Sequence, residues 1–440
     1  MRLSISLLHS IAAITTIAKL VLADGGFNVL TFNVAGLPEI LQNNDEPLDK
    51  TTATTNIGKI FSELKDDLDI IHVQEDFNYR ATLYKYDNHP YRTATSGGVP
   101  FGSGLNTLSN YDWINFERVK WSTCSDASEF DCLTPKGFTH MKIKLETGVY
   151  INFINLHADA GTEPGDESAR NSNLQQIADW IDSSAYGEAV IIFGDTNCRY
   201  TRTDDNIAVF TTQNSMKDAW VELEMGGVAP SKGDDALLCG LPSTSLKCEI
   251  VDKVFYRSSK AIELIATQFD YVGDLFTYEG NQLSDHNPIL VNFTYTLSDD
   301  YKTSDIVGSN NGVYFNDITS ITTGTKTSKI TLRGDRRVDN VGLTLDDGTV
   351  FAHGGDGGDE YSLALADDEY WTYAKVCTGT KRTLRIFYLE VQTSTGNTLS
   401  TGTETDTCYE YKAEPGYQIA GFYGQSADEV DQLGFIYIKQ

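Results

Sequence analysis

No run of about 18 or more uninterrupted apolar residues occurs in this 440-residue chain, so a membrane-spanning helix is not expected. Positive charge is scarce too, with 34 Lys and Arg against 62 Asp and Glu and a net charge of −28. A basic nucleic-acid-binding face is therefore not the default, because the field of the whole chain repels phosphates. Phosphate chemistry stays open, since a bound divalent cation reverses the local field. No Cys-x-x-Cys spacing is present, which argues against a cysteine-ligated zinc site. What the chain does have is packing material. Its 40% apolar residues, with 23 Tyr and 20 Phe, exclude a wholly disordered or collagen-like polymer and suffice for more than one domain.

Residues 1–23 carry Arg2, then a largely apolar body from Leu7 to Leu22, and end Val21-Leu22-Ala23. Small residues at the first and third positions before Asp24 fit a cleaved secretory leader, and secretion to the extracellular space is the expectation. The seven cysteines agree with an oxidising compartment. Cys124/Cys132, Cys239/Cys248 and Cys377/Cys408 are the expected pairs, with Cys198 free, although spacing alone does not fix connectivity. Asn292-Phe293-Thr294 is an acceptor sequon that secretion would expose to glycosylation.

From residue 24 to about 297 strands and helices alternate. Residues 27–33, 69–75, 142–145, 149–156 and 189–193 read as strands, the third and fourth as a hairpin around Glu146-Thr147-Gly148. Ile57, Ile60, Phe61 and Leu64 share one helical face, and Leu174, Ile177, Trp180 and Ile181 mark another. This is an α/β layered region. Residues 298–305 are read as a linker. Residues 306–440 are rich in Thr, Gly and Asp, with short alternating runs between glycine clusters, and predict a separate all-β domain.

Polar residues sit at the ends of the apolar strands of the first region. Asn33 closes Leu30-Thr31-Phe32-Asn33, and Glu75 closes His72-Val73-Gln74-Glu75. His157 follows residues 152–156, and Asp195 and Asn197 follow Ile191-Ile192-Phe193-Gly194. Asp252 lies in Ile250-Val251-Asp252-Lys253, and Ser284-Asp285-His286-Asn287 precedes a last strand. Each tripeptide alone reads as a polar turn; six such sites in one order do not. His72, His89 and His353 read as a strand, a loop and a second-domain histidine.

That ordered set resembles the endonuclease/exonuclease/phosphatase superfamily, the DNase I-like metal-dependent phosphoesterases, over roughly residues 25–295. The resemblance implies a four-layer α/β sandwich and a catalytic Mg²⁺ or another divalent cation. It makes Glu75 the main metal ligand, with Asn33 and Asp285 nearby. Asp195 would orient or deprotonate the attacking water, and Asn197 would hold a phosphate oxygen. His286 would be general base or phosphate-polarising group with its tautomer fixed by Asp252, and His157 the candidate acid toward the leaving oxygen. Such a cation prefers few carboxylates and several waters, and imidazoles exchange protons near neutrality when a carboxylate orients them. His157, Asp131-Cys132-Leu133-Thr134-Pro135-Lys136-Gly137-Phe138 and residues 169–177 look like the neutral sphingomyelinase branch. In bacterial sphingomyelinases an aromatic hairpin enters the membrane before the Ser-Asp-His site, but residues 257–283 lack a Trp-Phe tip. Phe269, Tyr271, Phe276 and Tyr278 are expected to pack, as are Tyr111, Trp113, Phe116 and Trp121, the other candidates for lipid contact.

Residues 306–440 resemble the jacalin-like lectin domain, a three-sheet β-prism, through the 308–317 start, the 354–358 glycine cluster, Glu369-Tyr370-Trp371 and residues 419–434. The family's sugar loop corresponds to residues 427–431, where Asp431 would accept sugar hydroxyls and the Asp428 and Glu429 amides would assist. Ala427 stands where that loop has glycine. The combined reading is an α/β plus all-β chain, a secreted phosphodiesterase acting on phospholipid, with a module that tethers it to cell-surface or matrix glycans. Two alternatives remain: an extracellular DNase I-like endonuclease, and a lectin or toxin with an inactive hydrolase domain.

Overall fold

The computed structural model describes residues 23–37, 48–77, 81–128 and 131–440. All but the last residue of the expected leader lies outside them. Two six-stranded sheets form the first domain. One runs Ile262–Tyr271, Ile289–Leu297, Gly25–Asn33, Ile70–Gln74, Asn106–Ser109, Tyr91–Arg92 in spatial order. The other runs Trp113–Lys120, Gly137–Glu146, Val149–Leu156, Val190–Asp195, Asp252–Arg257, Lys217–Asp218.

Nearly continuous β-branched and aromatic runs make the central strands fit for burial on both faces. They pack sheet against sheet: Phe27 meets Phe153 with ring centroids 6.0 Å apart, and the His72 ring stacks on Phe193 at 3.6 Å. The outer faces are covered by helices. Lys50–Glu63 is capped by Asp49, whose carboxylate accepts from Thr52 N, and it buries Ile57 and Phe61 against Leu30 and Phe32. Pro164–Ser184 buries Leu174, Ile177 and Ile181 on the second sheet. Helix, sheet, sheet and helix make the DNase I-like four-layer sandwich. Among the described residues no helix is long and apolar enough to cross a membrane.

The second domain is a β-prism of three sheets, closed around Trp371, which lies 5.6 Å from Phe422 and 5.8 Å from Phe435. The segment 298–305 is not a free connector. Tyr301–Thr303 is a strand paired with Val430–Lys439, so the linker expected there is built into the prism. The domains are packed together at the end of the sandwich that carries the Glu146–Gly148 turn. Gly148 has φ +74° and stands so close to Thr303 O that a Cβ would collide, and Gly148 N donates to Asp305. Lys144 pairs with Asp305 at 2.7 Å, and Tyr186 packs edge-on against Tyr314. Along the edge of the second sheet, Asn115 and Gln432 exchange amide hydrogen bonds, and Asn310 donates to Glu117. Cys124–Cys132, Cys239–Cys248 and Cys377–Cys408 are disulfides, and Cys198 is free and buried.

Candidate active site

Strand direction decides where the chemistry collects. Gly25–Asn33 and Ile70–Gln74 run parallel, with Asn33 opposite Gln74, so Asn33 and Glu75 emerge side by side. Val149–Leu156 and Val190–Asp195 are also parallel, and His157 bridges to Asp195 just past their ends. Asp252 begins an antiparallel strand in register with Asp195. The carboxyl ends of two parallel pairs, one in each sheet, thus face one hollow, as α/β folds place their ligand sites.

Asn33 Nδ2 donates to Glu75 Oε1 at 3.1 Å and to Asp195 Oδ2 at 3.0 Å, tying the two sheets together. His157 Nε2 lies 3.5 Å from Asp195 Oδ2 and 3.9 Å from Glu75 Oε1. His286 Nδ1 is 2.8 Å from Asp252 Oδ2, leaving Nε2 3.8 Å from Asp195 Oδ2. Ser284 Oγ donates to Asn33 O at 2.6 Å, which seats the Ser-Asp-His turn against the first sheet. Asp285 adds negative charge felt by both Glu75 and His286. Asn197 donates its side-chain amide to Ala158 O, and its backbone N–H to Asp195 Oδ1 at 2.9 Å. Glu75 and Asn197 both hold left-handed backbone conformations, with φ +56° and +52°, as residues in over-determined sites do.

One residue had escaped the motif reading as a site residue. Lys136 is buried, pairs with Asp131 and places Nζ 3.1 Å from His157 Nε2. Burial works against its charge, but Asp131 and Glu75 raise its pKa above the usual lysine value, so it is an ammonium aimed into the site. Its only sequence signal is a lysine just ahead of a strand that starts beside the hollow.

The charges sort themselves by surroundings. Burial pushes His157 down to about 3, helped by the Lys136 ammonium, so this ring is neutral near pH 7. Burial also acts to lower His286, but the Asp252 carboxylate and the Asp195 charge outweigh it and raise its pKa well above the ordinary value. Asp195 is held below the carboxylate range, because the His286 charge and the Asn33 bond overcome burial. Glu75 is pushed up to about 6 by burial, with Lys136 opposing.

Glu75 Oε2 and Asp252 Oδ1 are buried without a hydrogen-bond partner, and so is His157 Nδ1. Buried polar atoms left unpaired in this way mark a place prepared for something else. Asp195, Asp252 and His286 offer ligand atoms within 4.8 Å of one another, but His286 Nδ1 is already committed to Asp252. The free oxygen of Glu75, beside Asn33, fits a hard cation better.

The sugar loop is arranged differently. Asp428 is exposed, but the buried Glu429 carboxylate is held by Arg337 at 2.5 Å, Lys381 at 2.9 Å and Arg385 at 3.1 Å. Asp431, expected to accept sugar hydroxyls, has no exposed surface and lies 3.1 Å from Arg385 Nη1. Both of its oxygens are buried without a hydrogen-bond partner, with the Arg385 charge from a neighbouring sheet beside them.

Comparison with known proteins agrees with the two-part architecture. Residues 29–229 match the Endonuclease/Exonuclease/phosphatase family 2, and residues 304–436 match the Jacalin-like lectin domain. Sphingomyelinases of Mycobacterium bovis and Mycobacterium tuberculosis are each 34% identical over 279 residues, covering 62% of this chain and 53% of their own. The chain thus spans about half the length of these curated relatives. The crystal structure of sphingomyelinase C from Streptomyces griseocarneus aligns with 61% of this chain and 99% of its own, at 17% identity and a TM-score of 0.41. The two family matches fall one on each domain, residues 29–229 within the sandwich and residues 304–436 within the prism.

Proposed function

We propose that this chain is a secreted, Mg²⁺-dependent phosphodiesterase that cleaves sphingomyelin-type lipids as a phospholipase C, with the lectin-like domain tethering it to glycans. The observation that carries the reading is the meeting of Glu75, Asp195 and His286 around one hollow, with Glu75 Oε2 unpaired. The choice of lipid over nucleic acid rests on the 34% identity to sphingomyelinases and on the scarcity of basic residues.

Glu75 and Asn33 would hold the cation, with Asp285 close by; when bound, it polarises the phosphoryl group and offsets its charge. The protein's own groups supply the rest. Asp195 Oδ2 orients the attacking water and receives its proton. His286, protonated and oriented through Asp252, donates from Nε2 to a phosphate oxygen. Lys136 adds a buried ammonium against the same developing negative charge. In this reading His157, neutral and accepting from Lys136 at Nε2, positions that ammonium instead of protonating the leaving oxygen. Asn197 keeps one amide hydrogen for a phosphate oxygen. Water adds to phosphorus as the bond to the ester oxygen breaks; that oxygen takes up a proton from solvent while Asp195 releases to solvent the one it received, giving a lipid alcohol and a phosphorylated head group.

Purified protein is incubated with sphingomyelin liposomes and with plasmid DNA, in Mg²⁺ or in EDTA. Choline phosphate release that requires Mg²⁺ is expected. Nicked plasmid without choline phosphate would turn the reading to a nuclease, and neither product to an inactive hydrolase domain.

A further inference from the structure

Far from the catalytic hollow, the sandwich and the prism border a cavity of about 450 Å³, a volume typical of small-molecule sites. The sandwich supplies Glu146 and an apolar wall of Ile262 and Leu297; the prism supplies Tyr301, Tyr411, Tyr417 and Tyr437. Val149, also on the wall, opens the strand Val149–Leu156, which delivers His157 at its other end, so cavity and hollow lie roughly 25 Å apart. The 427–431 loop is separate as well. It leads into the strand Val430–Lys439, whereas Tyr437 lies near the other end of that strand, roughly 20 Å away. Most polar groups on the wall have partners within the protein. Asp305 accepts from Gly148 N and pairs with Lys144. Lys302 pairs with Glu414 at 2.6 Å and lies 4.4 Å over the Tyr417 ring. The Tyr301 and Tyr417 hydroxyls donate to Ile321 O and Asp299 O. Tyr411 is the exception. It is buried, and its hydroxyl has no hydrogen-bond partner, although Asp305 is near enough for its charge to help raise the pKa of the phenol.

We propose that this junction cavity binds a neutral sugar residue, which gives the glycan tethering of the proposed function a place and rests on that part of it, not on the hydrolase part. A buried hydroxyl without a partner costs stability and marks a place where a guest completes the bonding. Ring walls beside carboxylate and phenol oxygens suit a sugar, whose C–H faces lie against apolar surface while its hydroxyls donate to the acceptors. Other classes of ligand fit less well. Glu146, Asp305, Glu410 and Glu414 line the cavity against the amines of Lys302 and Lys412, so a phosphate or another anion is repelled. An organic ammonium needs a free aromatic face. Lys302 already covers that of Tyr417, and Lys260 stands 5.2 Å over the Tyr301 ring. Because the walls come from both domains, a bound sugar also braces the prism against the sandwich.

The test uses the full chain with Tyr411→Phe and Glu146→Gln, one change on each side of the cavity. Methyl glycosides of mannose, glucose, galactose and N-acetylglucosamine are titrated by saturation-transfer NMR, and thermal melting is followed without them. At least one glycoside is expected to bind the parent, and both variants to bind it more weakly, Tyr411→Phe by about five-fold or more. Without sugar, Tyr411→Phe should melt at or above the parent temperature, because the hydroxyl it removes has no partner in the protein. A purely structural hydroxyl would do the reverse, so a lowered melting temperature overturns the inference. Tighter binding of choline or inorganic phosphate than of any glycoside overturns it as well. So does sugar binding that Asp431→Asn loses and Tyr411→Phe keeps, which assigns the site to the 427–431 loop. Glycosides that bind the parent and both cavity variants equally sink the cavity and leave the tethering reading standing, whereas glycosides that bind none of the proteins sink both. Diester hydrolysis plays no part in any readout, so the hydrolase reading stands or falls separately.

Discussion

In the catalytic hollow, Glu75 and Asp252 each keep a buried oxygen without a hydrogen-bond partner, whereas in the sugar loop Glu429 gathers three cations. Both places are acidic and both were assigned ligands from motifs; it is Glu429 that differs from the hollow in its accounting of charge, while Asp431 beside it keeps both oxygens buried without a hydrogen bond, 3.1 Å from Arg385. A carboxylate buried without compensation is costly and is tolerated where a guest completes it. One that is saturated by arginine and lysine already has its partners and holds strands together. The hollow is therefore poised for chemistry, and the Glu429 cluster pins the hairpins that carry Arg337, Lys381 and Arg385 to the sugar loop.

The largest effect should come from breaking the open side of this contrast. His286→Ala removes the only histidine in the hollow whose pKa is raised, and diester hydrolysis at saturating Mg²⁺ is expected to fall about 10²–10⁴-fold. Steady-state rates on sphingomyelin vesicles and on a soluble diester measure it. A loss under about ten-fold would show that His286 is not the proton carrier.

The closed side breaks in another way. Glu429→Gln leaves Arg337, Lys381 and Arg385 facing one another, and the lectin-like domain should lose about 2–3 kcal/mol. Urea unfolding followed through Trp371 fluorescence reads this, while the diester rate should stay within about two-fold because the change lies outside the hollow. Stability equal to the parent's would mean that these ion pairs are solvated and that the cluster is no brace.

Most of the hollow was legible because its acids, amides and histidines directly follow apolar strand runs, and strand direction then brings the ends together. Lys136 was not, since a lysine between Pro135 and Gly137 has no period to betray burial; its surroundings come from Asp131 and from His157, 21 residues away. Tyr301–Thr303 is too short to alternate, and its pairing is supplied by the last strand of the chain. The cation cluster on Glu429 was equally hidden. Its covering cations come from positions 44 and 92 residues before Glu429, on other hairpins, and a loop motif says nothing about what folds over it.

A change of slope sharpens the contrast through pH. His72 is buried with its ring on Phe193, and burial lowers its pKa from 6.5 to about 3. The unfolded chain therefore takes up a proton near pH 6.5 that the folded sandwich refuses, and stability is lost as pH falls, by about 1.4 kcal/mol per unit between 6.5 and 3. Glu429 has its pKa lowered from 4.5 to about 2 by the Arg337 bonds and Lys381, so its contribution is intact above 4.5 and fades only as pH drops toward 2. The contribution of His72 thus begins to fade about two pH units before that of Glu429. In His72→Phe, the slope of unfolding free energy against pH between 6.5 and 5 should shrink by one proton's worth, whatever the aromatic swap does to the absolute value at pH 7.5. An unchanged slope would mean that the imidazole is protonated inside the sandwich and that its burial is not the source of acid sensitivity.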